Sequence, residues 1–331
     1  MKKEDKQKIK IVGTGFYVPE KILTNYDLEQ MVDTSDEWIV TRTGIKERRI
    51  ADENQATSDL GIMAGKRALE NAGLKIDDID LIMVATATPD TLFPSTACHV
   101  QRGLKADHIP AFDISAACCG LIYSLIIAEG LILAGTNKRI LLIGGEMLTK
   151  ITNWKDRNTC VLFGDAAGAY VVEKSNDESG LLSHYWRADG NLSNLLYLPA
   201  GGSRIPASKK SVEENLHYLH MRGNEVFKNA VKRMGEASLE ALKKAGLEKK
   251  DVDLLIPHQA NIRIIDAIGR RLKIPPEKVV SNIHKYGNVS VATIPIALHE
   301  ARLEGKIKKG NIIVMTAFGG GFTWASLVYR W

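Results

Sequence analysis

Cys118 stands where strand-like residues give way, through small ones, to an apolar run, in the segment FDISAACCG at positions 112–120. This pattern predicts a cysteine at the start of a helix, where unpaired backbone N–H groups and the helix dipole favour a thiolate. The same N–H groups would stabilise the oxyanion that forms when a thioester is attacked. The segment therefore indicates a cysteine nucleophile, although Cys118 and Cys119 would equally suit a protein core as small apolar residues.

A histidine and an asparagine occupy comparable places in the second half of the chain. His258 directly follows the apolar run LLIP at 254–257, and residues at strand ends in α/β sheets face the functional crevice. An imidazole there can donate to or accept from a thioester oxygen. Asn288 precedes an apolar helix, nearly as Cys118 does in the first half, and plain N-capping is its ordinary alternative. The pattern predicts that thiol, imidazole and amide meet across a cleft.

Two segments of the chain repeat each other and indicate the elements that position these residues. Residues 68–84 (ALENAGLKIDDIDLIMV) and 241–257 (ALKKAGLEKKDVDLLIP) each predict a helix end at Ala-Gly, a short loop and an apolar strand. In each half a long apolar helix follows, and then a further strand, at 139–144 and at 311–315. Apolar strands that alternate with helices predict an α/β fold whose sheets are covered on both faces.

The duplication predicts two halves, an N-terminal one at 1–176 with the cysteine and a C-terminal one at 177–331 with the histidine and asparagine. The weakly periodic stretch at 180–211, rich in Gly, Ser and Asn, is expected to form surface loops. Because no flexible low-complexity segment separates the halves, two independent domains on a linker are disfavoured. A site in the cleft between the halves is the default expectation.

Composition and charge exclude several classes of protein. The chain has 331 residues, and its 44 Lys and Arg against 39 Asp and Glu leave a net charge of only +5, which does not indicate nucleic-acid binding. The charged start MKKEDKQK lacks the apolar stretch of a signal peptide, and the apolar helix at 118–134 falls short of a membrane span. Four cysteines without metal-ligand spacing predict no metal site and a reduced, cytoplasmic protein.

A glycine run near the C-terminus, AFGGGFT, would let the backbone approach a ligand and aim N–H groups at it. With this run and seven further motifs, the chain resembles the β-ketoacyl-acyl-carrier-protein synthase III family of the thiolase superfamily over essentially its whole length. The seven motifs are GTGFYVPE (13–20), TSDEWIVTRTGI (34–45), DISAACCG (113–120), LFGDAAGA (162–169), GNEVFK (223–228), PHQAN (257–261) and GNVSVATIP (287–295). The resemblance implies a five-layer α-β-α-β-α thiolase fold, a homodimer, and no cofactor beyond the coenzyme A thioester that serves as substrate.

The resemblance also implies the reaction and its catalytic groups. A primer acyl group, expected to be acetyl, passes from coenzyme A to Cys118 and is then joined to malonyl acyl carrier protein with loss of CO2, which starts fatty acid biosynthesis. His258 and Asn288 would stabilise the enolate-like species of the decarboxylation. The backbone N–H groups of Cys118 and Gly320 would form the oxyanion hole. The neighbouring Cys119 departs from the family pattern, which has a small unreactive residue there, and only one of two consecutive helical thiols can face the cleft.

Three groups of binding residues follow from the resemblance in the same way. The coenzyme A contacts fall on Thr34, Trp38, Arg42, Arg157, Gly223 and Asn261. The acyl pocket falls on Phe93, Leu148, Phe163, Leu196, Leu219 and Phe318, with Phe93 expected to reach into the partner subunit. The surface for the acidic carrier protein falls on Lys228, in a predicted helix that begins at Gly223, and on Arg263, Arg270 and Arg271, in a predicted helix at 262–272. For the arginines and the lysine, a solvated surface charge is the alternative.

Two other functions remain open at this stage. One is a related thiolase-fold acyltransferase of specialised ketide metabolism that uses only coenzyme A substrates, against which the four basic positions weigh. The other is a non-catalytic protein that binds acyl-coenzyme A, against which the intact set of Cys118, His258 and Asn288 weighs.

Overall fold

A computed structural model describes residues 7–331, and its elements follow the predicted repeat. The strands are β1 (Ile9–Tyr17), β2 (Ile22–Thr24), β3 (Glu47–Arg49), β4 (Leu81–Ala85), β5 (Ala111–Ile114), β6 (Arg139–Met147), β7 (Asp165–Lys174), β8 (Gly180–Ala188), β9 (Leu196–Tyr197), β10 (His220–Met221), β11 (Leu254–Pro257), β12 (Ile312–Gly319) and β13 (Thr323–Arg330). The helices are α1 (Asn25–Glu29), α2 (Asp36–Thr43), α3 (Thr57–Ala72), α4 (Thr96–Leu104), α5 (Gly120–Leu133), α6 (Arg157–Cys160), α7 (Lys209–Glu213), α8 (Gly223–Ala245), α9 (Ile262–Leu272), α10 (Ile283–Tyr286) and α11 (Thr293–Leu303).

The two large sheets have the same strand order. The first runs β1-β7-β6-β4-β5 and the second runs β8-β13-β12-β11. In each sheet the strand of the repeated segment is parallel to the next strand of its unit, β4 to β6 and β11 to β12. The remaining neighbours, β6 with β7, β7 with β1, β12 with β13 and β13 with β8, are antiparallel. Where β5 pairs with β4 in the first sheet, the second has only a parallel bridge between Leu255 and Val279. The two sheets are thus two copies of one unit.

Helices and sheets alternate in five layers, the arrangement expected from the resemblance. Helices α3 and α4 cover the outer face of the first sheet, and α8 and α9 cover that of the second. The central layer is α5 and α11, which pack between the sheets. Its core joins Leu125 and Leu298 of these helices to Leu142 of the first sheet and Met315 of the second. Since α5 contacts both sheets, it is apolar over most of its surface, as a helix packed on both sides must be.

The stretch expected to form surface loops is partly a strand. Residues 180–188 form β8, an edge strand that pairs antiparallel with β13. Most of its side chains after Leu181 are half-buried or exposed, because an edge strand is covered less than a central one. The alternation of apolar and polar residues is therefore weak, which explains why the sequence pattern missed this strand.

The predicted equivalence of Cys118 and Asn288 needs correction. Short 3-10 turns at Ala117–Cys119 and Ser290–Ala292 precede α5 and α11. The first residues of these turns, Ala117 and Ser290, both have left-handed backbone, with φ of +45° and +46°. They are the true counterparts, so Asn288 lies two residues before the position that matches Ala117. The first half supplies Cys118 from within this turn, whereas the second half supplies Asn288 from the loop just before the corresponding turn.

The expectation about a leader concerns the first eight residues, of which 1–6 lie outside the part that the structure describes. Across 7–331, none of the helices combines the length and the apolar character that a membrane span requires.

Candidate active site

A cavity of about 470 Å³ opens between the two halves, and the three candidate catalytic side chains line it together. Cys118 comes from the turn before α5, His258 follows β11, and Asn288 lies in the loop before α11. Gly320 lines the same cavity from the glycine run after β12. The structure therefore brings together the thiol, imidazole, amide and glycine backbone that the sequence predicts.

Cys118, not Cys119, presents its thiol to this cavity. Cys118 is half-buried there, whereas Cys119 is fully buried in the core between the sheets. The expectation of an acidic thiol is wrong, because burial raises the pKa of Cys118 to about 12. Removing a thiolate from water is costly, and this cost outweighs the hydrogen bond from Ser290. The thiol is protonated at neutral pH and must give up its proton before it can attack a thioester.

His258 is held by a hydroxyl and stays neutral. Its side chain is buried, and burial lowers its pKa to about 3. Its Nδ1 lies 2.7 Å from Oγ1 of Thr293, whose hydroxyl also lies 2.9 Å from the carbonyl of Ser290. When the hydroxyl donates to Nδ1, the single ring proton is on Nε2. That nitrogen is then a donor available to a ligand in the cavity.

Asn288 is oriented by the backbone two residues further on. The N–H of Ser290 donates to Oδ1 of Asn288 at 2.9 Å, which leaves the amide N–H groups for a ligand. The backbone of Asn288 is tied to the motif LFGDAAGA, since its N–H donates to the carbonyl of Leu162 at 2.8 Å. Glycine is required at position 287, because a β-carbon there would lie 2.8 Å from that carbonyl and the backbone has φ +64°. The asparagine and the neutral histidine thus present two N–H donors to one cavity.

The glycine run packs directly against the nucleophile. A β-carbon placed on Gly319 would lie 2.7 Å from the backbone nitrogen of Cys118, a distance too short for any side chain. One placed on Gly320 would lie 2.9 Å from the carbonyl of Leu196. This close approach brings the backbone after β12 beside the N–H of Cys118, as an oxyanion hole from Cys118 and Gly320 requires.

The acyl-pocket residues divide into two groups. Five of the six line the cavity: Leu148, Phe163, Leu196, Leu219 and Phe318. Phe93 does not, because it lies on the loop between β4 and α4 with 85 % of its surface exposed. Its neighbour Leu92 is 78 % exposed. Phe93 therefore does not line the cavity of its own chain.

The predicted coenzyme A contacts surround the mouth of the cavity. Trp38, Arg42, Gly223 and Asn261 line it. The guanidinium of Arg157 lies 5.0 Å from the centre of the Trp38 ring, and that of Arg42 lies 4.5 Å from it. Arg157 also donates to the carbonyl of Asp33 at 2.7 Å. Thr34 does not line the cavity, but its hydroxyl is buried without a hydrogen-bond partner among the described residues.

The four predicted basic residues are all exposed, and they lie on two helices that pack against each other. Lys228 is on α8, which begins at Gly223 as predicted, and the other three are on α9, whose bounds Ile262–Leu272 match the predicted helix. Arg263 reaches the cavity itself and stacks on Phe227, with its guanidinium 5.5 Å from the ring centre. A positive surface therefore borders the cavity mouth.

Two polar residues beside the nucleophile were missed in the sequence. The hydroxyl of Ser290 lies 3.3 Å from Sγ of Cys118 and 3.2 Å from Oε1 of Glu146. Glu146 is fully buried near the end of β6. The available signals were a carboxylate at the end of the apolar run RILLIGGEM, and a serine in the motif that carries Asn288. Within residues 7–331 the structure contains no cluster of His, Cys, Asp or Glu suited to a metal ion.

Comparison with known proteins gives one consistent result. The model of the 3-oxoacyl-[acyl-carrier-protein] synthase III C-terminal region matches residues 242–331, and that of 3-oxoacyl-[acyl-carrier-protein] synthase III matches residues 112–190. The β-ketoacyl-[acyl-carrier-protein] synthase III of Caldanaerobacter subterraneus subsp. tengcongensis is 60 % identical, over 97 % of each chain. That of Clostridioides difficile is 53 % identical over 97 % of this chain and 98 % of its own. The crystal structure of the Aquifex aeolicus 3-oxoacyl-[acyl-carrier-protein] synthase III superimposes with a TM-score of 0.91 at 52 % identity, covering 98 % of this chain and 100 % of that one.

Proposed function

Because this chain belongs to the β-ketoacyl-acyl-carrier-protein synthase III family, we propose that Cys118, His258, Asn288 and Gly320 carry out its reaction. The chain is a thiolase-fold acyltransferase that condenses a primer acyl-coenzyme A with malonyl acyl carrier protein and starts fatty acid synthesis. The observation that carries the residue assignment is that these four residues line one cavity between the halves.

In the first half-reaction Cys118 takes the acyl group. The thiol loses its proton, and the sulfur attacks the carbonyl carbon of acyl-coenzyme A. The carbonyl oxygen becomes an oxyanion that accepts from the N–H groups of Cys118 and Gly320. When the intermediate collapses, the bond to the coenzyme A sulfur breaks and the acyl group stays on Cys118. The apolar lining from Leu148, Phe163 and Phe318 supports a primer without charge, and we propose acetyl.

In the second half-reaction His258 and Asn288 hold the malonyl thioester. Loss of CO2 leaves its electron pair in an enolate, so negative charge develops on the thioester oxygen. Nε2–H of His258 and the amide N–H of Asn288 donate to that oxygen, and their donation strengthens as the charge grows. The carbon of the enolate then attacks the acyl group on Cys118, and the cysteine sulfur leaves.

The carrier protein would dock on the positive surface of Lys228, Arg263, Arg270 and Arg271. These side chains are exposed, and Arg263 among them lines the cavity. An acidic carrier protein would be steered to them by charge, so its association would weaken as salt increases. Coenzyme A would enter at the same mouth, where its adenine would stack on Trp38 in place of one of the two arginines that now lie on that ring.

We propose that two copies of the chain form a homodimer through the edge of the first sheet. Strand β5 is one of the two edge strands of that sheet, and its Phe112 is 40 % exposed. The carboxylate of Asp113 accepts from the N–H groups of Thr96 and Ala97 at 2.7 Å each, which ties the start of α4 to β5. Phe93 precedes that helix start and would complete the acyl pocket of the partner.

The two half-reactions can be measured separately, and this tests the assignment. Cys118→Ala is expected to abolish acyl transfer from acetyl-coenzyme A and to keep decarboxylation of malonyl carrier protein. His258→Ala is expected to show the reverse. Cys119→Ala is the matched control, since that thiol is outside the cavity, and it should keep both. Full condensation activity in either active-site variant would refute the roles.

A second measurement distinguishes this function from that of an acyltransferase that uses only coenzyme A substrates. Turnover with malonyl carrier protein is compared with turnover with malonyl-coenzyme A at low and at high salt. The basic surface predicts a preference for the carrier protein that declines with salt. A clear preference for the coenzyme A ester would contradict the proposal.

A further inference from the structure

Glu146 is a buried carboxyl group that the mechanism above leaves without a role. It accepts from the hydroxyl of Thr88 at 2.6 Å and from the N–H of Ala87 at 3.1 Å, and the hydroxyl of Thr86 lies 3.4 Å away. Its neighbours among the described residues are thus hydroxyls and a backbone N–H, not a cation. A carboxyl kept in the protein interior without a basic partner is costly.

Ser290 links this carboxyl to the nucleophile. Its hydroxyl lies between Sγ of Cys118, at 3.3 Å, and Oε1 of Glu146, at 3.2 Å. A hydroxyl has one proton and two lone pairs. When it donates to the carboxylate, a lone pair remains to accept from the thiol. The three groups then form a continuous path for one proton from sulfur to carboxylate.

The position of Ser290 is enforced by the catalytic loop. Its backbone has φ +46°, a conformation that residues other than glycine rarely adopt. Its N–H donates to Oδ1 of Asn288, and its carbonyl lies 2.9 Å from the hydroxyl of Thr293, the residue that contacts His258. A residue held in this strained conformation beside a reactive centre indicates that its placement serves the chemistry.

We propose that Ser290 relays the proton of the Cys118 thiol to Glu146, and that Glu146 holds this proton while Cys118 carries the acyl group. Ser290, which contacts the reacting sulfur, is the catalytic group, and Glu146 acts through it as a positioning residue. This inference rests on the proposed function of Cys118. It supplies the acceptor that a protonated, buried thiol needs.

Each proton that moves during the catalytic cycle has a donor and an acceptor. Before acyl transfer, the S–H proton passes to Oγ of Ser290 as the hydroxyl proton passes to Oε1 of Glu146. The thiolate forms the new C–S bond, and the coenzyme A thiolate leaves and takes up one proton from solvent, the proton that the whole reaction consumes. When the condensation releases the Cys118 thiolate, the stored proton returns through Ser290 to that sulfur.

The ionisation of Glu146 suits this role. Burial raises its pKa to about 7, so it changes charge near neutral pH. Cys118 is the titratable group that faces it across Ser290. Asp165, on the neighbouring strand β7, turns its carboxylate to Thr149 and the N–H of Ala51 instead. His258, across the cavity, has its pKa lowered to about 3 and does not titrate in the same range.

The test is single-turnover acylation of Cys118 by acetyl-coenzyme A, followed by mass spectrometry from about pH 5 to 9. For the natural chain the rate should rise with pH through about 7. Glu146→Gln should be slower by roughly 10²-fold and should lose this rise. Ser290→Ala should do the same with the carboxyl in place, and Glu146→Asp should restore the rise. Asp165→Asn is the control, because it changes an equally buried carboxyl without contact to Cys118, and it should keep the rise of rate with pH.

Reaction with iodoacetamide separates proton transfer from mere charge repulsion. The charge of Glu146 by itself raises the pKa of Cys118, so repulsion alone would make Glu146→Gln react faster than the natural chain. The relay predicts that it reacts more slowly. A rate equal to or above that of the natural chain, or a pH rise that survives in Glu146→Gln and Ser290→Ala, would overturn the relay. If the natural chain itself acquired no acyl group on Cys118, the proposed function would fail instead.

Discussion

Gly319→Ala should disable the oxyanion hole while leaving the thiol in place. Gly319 ends β12, and a β-carbon there would be 2.7 Å from the backbone nitrogen of Cys118 and 3.1 Å from the β-carbon of Ala117. Both of these atoms belong to the turn before α5, which is packed between the sheets. The turn therefore cannot yield as a flexible side chain would, and the N–H of Cys118 must move.

The size of the effect follows from this contact. Overpacking of a well-packed core costs about 1–3 kcal/mol, so the variant should still fold. Displacement of the N–H removes one donor to the oxyanion, and loss of one such donor costs roughly 10²- to 10³-fold in rate. Acylation should therefore fall by far more than stability alone would explain.

Two reactions of the same sulfur provide the assay. Acylation by acetyl-coenzyme A requires the oxyanion hole, whereas alkylation by iodoacetamide does not. Gly319→Ala should lose roughly 10²- to 10³-fold in acylation and stay within about tenfold in alkylation. The control is Gly61→Ala, where the new β-carbon would be 3.2 Å from Ile143 in a buried position on α3, away from the cavity. Unchanged acylation in a folded Gly319→Ala variant would show that the new methyl group does not displace the N–H of Cys118. An equal loss in both reactions would show that the thiol itself is affected, and either result would contradict the prediction.

Three further predictions concern stability, docking and assembly. The pKa of Glu146 is raised from 4.5 to about 7 on folding, so its contribution to stability is full below pH 4.5 and is lost as pH rises to about 7. The free energy of unfolding should therefore fall by about 3 kcal/mol less between about pH 5 and 8 in Glu146→Gln than in the natural chain. Urea unfolding at each pH measures this fall, and an equal fall in both proteins would contradict the prediction. Arg263→Glu should raise KM for malonyl carrier protein, most at low salt, because it reverses a charge at the cavity mouth; a KM insensitive to salt in both proteins would exclude the docking surface. Phe93→Asp should shift the sedimentation coefficient from that of a dimer to that of a monomer, because it places a charge on the exposed apolar loop of the proposed interface. A dimer of unchanged stability would show that the interface does not include this loop.

Much of the fold follows from local patterns in the sequence. The repeated segments predicted β4 and β11 because both strands are almost wholly buried and hence continuously apolar. The helix α9 was predicted with its observed bounds, since its apolar residues recur with a helical period and Asn261 caps its first turn. The edge strand β8 escaped because its side chains are only partly covered.

The sequence was sufficient to predict which residues form the candidate site, but not their protonation states. Cys118, His258 and Asn288 lie in recognisable motifs, and the cavity contains all three. The ionisation of the thiol was not predictable, because it depends on how deeply the packed halves bury it. Glu146 and Ser290 are far apart in the chain and meet only through tertiary packing. The pattern of a helix start favoured a thiolate, whereas desolvation in the folded protein favours the thiol.

We propose that one particular sulfur, that of Cys118, carries the acyl group. The chain is mixed with acetyl-coenzyme A, digested at low pH, and its peptides are mapped by mass spectrometry, with Cys119→Ser treated in parallel. We expect an acetyl group on Cys118 in both proteins and none after Cys118→Ala. An acetyl group on Cys119, or no adduct on either cysteine of the natural chain, would contradict it.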